Sequence, residues 1–155
     1  MRTFSTIEGF PVLVKSTGQE CGHITDLVYK NGKIIGLLID PKGLLARQRF
    51  LAVSDVDSFG PDAIMIESAE QLKPFEKTDS LLLKHGKERL QGIALLTNEG
   101  EKLGLMEDVY FHEEVGTIVG YEVTDGLIAD LMEGRKVVKS DKQLTITKGR
   151  AIMTE

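Results

Sequence analysis

Apolar and polar positions along this chain fall into short runs separated by turn residues, the pattern of strands. Residues 21–29 are rich in β-formers and lead into Lys30-Asn31-Gly32-Lys33. Asn-Gly between two such runs predicts a hairpin, because both residues tolerate the positive φ of a type I′ turn. Residues 33–40 return as the partner strand. Ile34, Ile35, Leu37, Leu38 and Ile39 make it apolar on both faces, so it is expected to be buried on both. Residues 10–14, 50–53, 56–58 and 63–66 read as further short strands, and Gly60-Pro61-Asp62 turns the last pair. Residues 106–112 and 117–124 repeat the central hairpin, with a longer turn through Glu113-Glu114-Val115-Gly116. Closely spaced short strands of this kind predict a small barrel or sandwich.

That recurrence is part of an internal duplication, the feature to look for first in any chain. Residues 13–26 align without a gap on residues 95–108, with Leu13 on Leu95, Gly18 on Gly100, Gly22 on Gly104 and Asp26 on Asp108. Further on, Ile34-Ile35-Gly36 meets Ile118-Val119-Gly120, Gly43-Leu44-Leu45-Ala46 meets Gly126-Leu127-Ile128-Ala129, and Ala63-Ile64-Met65-Ile66 meets Ala151-Ile152-Met153-Thr154. Four matches in the same order point to two copies of one unit, spanning residues 1–75 and 80–155. Units of roughly 70 residues bury little surface alone, so the copies are expected to pack together. The join falls in the polar stretch 71–87, where Pro74 interrupts any helix. Asp79 or Ser80 is placed to cap a short linker helix carrying Leu81, Leu82 and Leu83. A second short helix is predicted over residues 124–134, capped by Thr124 or Asp125 and ended by Gly134, with Leu127, Ile128, Leu131 and Met132 on one face as a lid on the barrel. The expected fold is all-β: two tandem small barrels, with short helices in the linker and in the second unit.

Composition narrows the function classes. With 41% hydrophobic and 28% charged residues the chain has the balance of a globular protein, not a disordered one. It lacks an apolar run long enough to span a bilayer, and residues 1–8 lack the apolar core of a signal peptide. The single cysteine, Cys21, fits a reducing compartment. A cytoplasmic location is therefore expected. A net charge of −5 disfavours broad contact with a phosphate backbone, and the absence of Trp removes stacking platforms for single strands.

No residue group reads as an active site. Asp26 and Asp108 could form a catalytic carboxylate pair. Their equivalence under the duplication favours a structural role instead, each satisfying backbone amides within its own barrel. His23, His85 and His112 stand in no metal-binding spacing, and His112-Glu113-Glu114 reads as a solvated turn. Cys21 occupies the position of Leu103 in the other copy and reads as a small buried hydrophobe. Gly18-x-x-x-Gly22 lacks the Gly-Lys-Ser/Thr of a phosphate loop. One candidate surface stands out. Leu44 and Leu45 with Arg47 and Arg49, and Leu127 and Ile128 with Arg135, set apolar side chains beside arginine at matching places in the two copies. That mixture is favoured at interface hot spots. The competing reading makes the leucines core and the arginines solvated.

The motif Gly9-Phe10-Pro11-Val12, Gly18, Gly22 and Asp26, and its second form Gly92, Gly100, Gly104 and Asp108, resemble the PRC-barrel family. That family is named for the cytoplasmic domain of the photosynthetic reaction centre H subunit. The resemblance implies a small six-stranded β-barrel, twice over, and a binding or scaffold role without catalysis or cofactor. Residues 126–135 depart from the minimal pattern. The expected partner is a protein; homo-oligomerisation stays open. A similar domain in a bacterial ribosome-maturation factor supplies the alternative, an accessory factor in ribosome or RNA maturation.

Overall fold

The structure is a computed structural model describing residues 1–42, 47–76, 80–125, 134–139 and 144–153. Among the described residues fifteen strands run in the order β1 (Arg2–Thr3), β2 (Pro11–Val14), β3 (Glu20–Lys30), β4 (Lys33–Pro41), β5 (Arg49–Ala52), β6 (Val56–Phe59), β7 (Ile64–Ile66), β8 (Lys73–Pro74), β9 (Leu81–Leu82), β10 (Ala94–Thr97), β11 (Lys102–Phe111), β12 (Ile118–Thr124), β13 (Lys136–Lys139), β14 (Leu144–Thr147) and β15 (Arg150–Met153). They build two sheets of the same order. The first reads β6-β7-β2-β3-β4-β5, extended by β8, and the second β14-β15-β10-β11-β12-β13. Each curls into a half-barrel. Helical turns among the described residues are single 3-10 turns, at Phe4–Thr6, Val53–Asp55 and Ala69–Gln71.

Each central hairpin follows from its sequence. Asn31 and Gly32 both take positive φ, 51° and 81°, and close β3 onto β4. Gly22 and Gly104 sit at the same place in the two long strands with φ of 144° and 149°. A Cβ there would run into the backbone of the facing strand, meeting the Asp40 carbonyl at Gly22 and coming within 3.0 Å of the Thr124 carbonyl at Gly104. Only glycine combines that φ with so close an approach.

The duplication is real in strand order but its register differs from a gapless alignment. Gly22 pairs with Val12 and Gly104 with Leu95, so Leu95 stands where Val12 does, one position away from Leu13. The missing residue is in the turn. Gly18 donates to the carbonyl of Val14, four residues back, whereas Gly100 donates to that of Thr97, three back. The last strands shift likewise: Ile64 pairs with Val12 and Ala151 with Leu95, so Ala151 matches Ile64, not Ala63. Turn length is free to drift because it sits in solvent, while strand register is held by the side chains facing the core.

Among the described residues the expected linker helix does not form. Leu81 and Leu82 form β9, antiparallel to β3 opposite Tyr29 and Val28. Local helix propensity over three leucines is small beside the gain from completing a sheet and burying Leu82 and Leu83. The helix expected over 124–134 lies mainly outside the described residues.

One core serves both sheets. Phe4, Val12, Leu37, Leu51 and Ile64 belong to the same buried cluster as Leu90, Leu95, Met106, Tyr121 and Ala151. A smaller cluster on the outer face of the first sheet joins Val28, Leu38 and Leu82, with Phe50 and Phe75 against it. It explains why β4 is apolar on both faces: Phe75 and Leu82 pack over its outside. The second sheet has Tyr110 and Glu122 at the equivalent places, and no such packing among the described residues.

A shared core predicts that neither half is a stable unit by itself. Fragments 1–75 and 80–155, expressed separately, are expected to show little folded signal by circular dichroism. Mixed, they should form a 1:1 complex in sedimentation with the spectrum of the intact chain. Independent cooperative melting of either fragment as a monomer would contradict the single core.

Candidate functional site

The two halves are joined by an exchange of leading segments. The leader of the first half supplies β1, which pairs with β11 in the second sheet, Arg2 opposite Phe111 and Thr3 opposite Tyr110. The leader of the second half supplies β9, which pairs with β3 in the first sheet, Leu81 opposite Tyr29 and Leu82 opposite Val28. Tyr29 and Phe111 are equivalent, so the pairing is two-fold symmetric. At its centre Lys33 bridges Thr117, its own counterpart, and the Ile34 amide donates to the Gly116 carbonyl at 3.0 Å.

Each exchanged segment ends on a buried aspartate of the other half. Asp26 is fully buried and accepts the amides of Leu83, Lys84 and His85 at 3.0–3.1 Å, besides that of its neighbour Leu27 at 2.9 Å. His85 Nδ1 lies 2.7 Å from the same carboxylate. Asp108 accepts the amides of Phe4 at 3.0 Å, Ser5 at 3.1 Å and Val109 at 2.8 Å. The aspartates are amide acceptors as expected, but across the junction and not only within their own half. Sequence reasoning misplaced the donors because it read Leu81–Leu83 as helix. Nearby, Lys84 reaches Glu8 at 3.0 Å and ties leader to leader.

Tyr29 and Tyr121 also lie close across the junction, near enough for each phenol to influence the other's ionisation. Burial, first of all, pushes both phenols above their ordinary value, Tyr121 the further.

The junction is symmetric in backbone but not in side chains. Around Phe111, Phe59 packs edge-on with ring centroids 6.5 Å apart, and Arg2 donates to the carbonyls of Gly60 at 2.6 Å and Phe59 at 2.9 Å. That corner is filled. At the equivalent corner, Tyr29 replaces Phe111, Leu81 replaces Arg2 and Ile146 replaces Phe59. The smaller side chains leave an open cleft of about 580 Å³. Its apolar wall is Leu81, Ile93, Leu144 and Ile146, and its rim carries Lys30, Lys87, Glu88, Arg89 and Lys148. The rim residues 87–89 belong to an insertion. Seven positions separate Leu83 from Leu90, against three between Phe4 and Ile7. That difference in spacing was the signal in the sequence, but it shows only once Leu83 and Phe4 are known to be equivalent.

Of the surface residues singled out from sequence, Leu44, Leu45, Leu127 and Ile128 lie outside the described residues. Arg47 and Arg49 are exposed, Arg49 on β5 opposite Ile39 and Pro74. Arg135 binds Glu122 at 2.9 Å and reaches Glu107 at 3.8 Å. The arginines stand at matching strands, β5 and β13, of different sheets. Cys21 is half-buried against the core, and this burial pushes its thiol up, away from reactivity. Among the described residues no three His, Cys, Asp or Glu side chains gather as a metal site, and no helix is long and apolar enough to cross a membrane.

Strand order and the glycine-aspartate pattern define a PRC-barrel class of protein, and the PRC-barrel domain model matches residues 1–73. The chain is also 31% identical over 157 residues to the uncharacterized protein YrrD of Bacillus subtilis (strain 168), covering 99% of this chain and 87% of that protein. The chain belongs to the PRC-barrel family.

Two outcomes follow from the junction. Asp26→Ala strands three cross-junction amides in a buried place, at a cost of roughly 3 kcal/mol or more. The melting temperature should fall by about 6 °C or more for a chain of this size. Asp108→Ala, which strands fewer amides, should cost less; the reverse order in thermal melts would contradict the assignment. The tyrosine pair sets an alkaline limit. Folded pKa values raised above the unfolded value near 10 mean that its stabilisation is complete below about pH 10 and is lost as pH rises toward the folded values. Ultraviolet titration should show Tyr29 and Tyr121 ionising only together with unfolding, and Tyr121→Phe should shrink the alkaline loss of stability.

Proposed function

We propose that this protein is a non-enzymatic binding or scaffold module made of two PRC-barrel-like halves, residues 1–75 and 80–155, whose partner is another protein. The observation that carries the reading is the use made of Asp26 and Asp108. A carboxylate poised for acid-base chemistry needs a face open to substrate. These two are buried and saturated with amides from the opposite half. The polar groups of the interior are spent on locking two curved sheets into one body, and the chemistry left for recognition is on the outside. Exposed Arg47 and Arg49, at β5, and exposed Arg135, paired with Glu122 next to β13, are the described part of the expected partner surface. The net charge of −5 supports a protein partner over RNA.

The test is affinity capture from native cell extract with the intact chain and with the double variant Arg47→Ala/Arg49→Ala. A stoichiometric protein partner is expected on the intact chain and is lost from the variant, whose melting temperature is unchanged. Nuclease treatment should leave capture intact. A partner that vanishes with nuclease would move the assignment to RNA maturation.

A further inference from the structure

The open corner of the junction is a binding site of its own, independent of the partner surface. We infer that it takes a small amphiphilic anion, an acidic head of carboxylate or phosphate type on an apolar body. Three observations carry this. The first is size. At about 580 Å³ the cleft falls within the roughly 300–1,000 Å³ of small-molecule sites.

The second is the comparison that the duplication provides. The same backbone corner at Phe111 is closed by Phe59 and by Arg2 on the Phe59 and Gly60 carbonyls. The fold has no need of an opening there, since it packs one copy shut. The open copy differs by smaller apolar side chains, Leu81 and Ile146, and by the inserted residues that raise a rim beside it.

The third is charge. Lys87, Arg89 and Lys148 line the cleft with Lys30, against one carboxylate, Glu88. None of Lys87, Arg89 and Lys148 makes a salt bridge among the described residues, in a chain with a net charge of −5. Clustered cations repel one another, and an anion at the rim removes that repulsion. The apolar wall below them excludes an ion without a body: inorganic phosphate satisfies the rim and leaves Leu81 and Ile146 wet. A free amphiphile satisfies both.

The intact protein is titrated with 8-anilinonaphthalene-1-sulfonate, followed by fluorescence, with laurate and inorganic phosphate as competitors. One saturable site per chain is expected, displaced by laurate and not by phosphate. Two variants locate it. Lys87→Glu/Arg89→Glu changes exposed side chains only and should weaken binding at least about tenfold, equivalent to ~1.4 kcal/mol. Ile146→Phe, which installs the side chain of the closed corner, should abolish binding with no loss of melting temperature; Phe59→Ile should leave the affinity unchanged. Binding that ignores both the charge reversal and Ile146→Phe would overturn the site. So would displacement by phosphate as effective as by laurate, or association with phosphatidylglycerol vesicles in place of a saturable free-ligand site.

Discussion

The burial of one carboxylate organises this molecule. Asp26 has no exposure to water, and an unpaired charge in such a place would cost several kcal/mol. It is tolerated because Leu83, Lys84 and His85 turn their amides toward it. Those amides belong to the segment that enters the second half. The first sheet therefore cannot satisfy its own interior without the second, and Asp108 with Phe4 and Ser5 imposes the reverse dependence. Charge-assisted bonds of this kind are directional as well as strong. They fix where each leader ends, and so fix the register of β1 and β9 against β11 and β3.

From that exchange the remaining features follow. With the leaders crossed, the inner faces of the two half-barrels close over a common core, and neither has to bury a full interior alone. A small domain gains most from such sharing, because its surface is large relative to its volume. Tyr29 and Tyr121 bury their rings together inside that core, and Gly116 allows the hairpin of one half to press on Ile34 of the other. The arrangement has the form of a two-fold dimer made within one chain.

Being covalent, this dimer is free to be unequal. In two identical chains a change at one corner appears at both. Here Phe59 and Arg2 fill one corner while Ile146 and Leu81 open the other, and the longer second leader brings Lys87 and Arg89 to the open one. The outer faces diverge too, apolar and wrapped around Val28 and Leu38, polar around Tyr110 and Glu122. Structural positions stayed paired, and exposed or semi-exposed ones separated.

Much of this was legible in the residues. The hairpin at Asn31-Gly32, the short strands, the repeat and the structural role of the two aspartates all rest on local rules: φ preference, alternation, and the cost of a buried polar group. Such rules act within a few residues, so a sequence expresses them directly. The partners of Asp26 and Asp108 were not legible, because nothing local says that an amide 57 positions away will arrive at a carboxylate. The three leucines at 81–83 became a strand for the same reason, since the open edge of β3 that receives them is built elsewhere in the chain. The cleft is a difference between two corners, each assembled from both halves, and it exists only after the leaders have crossed. Sequence determined the elements and their duplication; tertiary packing decided which copy completes which, because burial and long-range hydrogen bonding are properties of the assembled core.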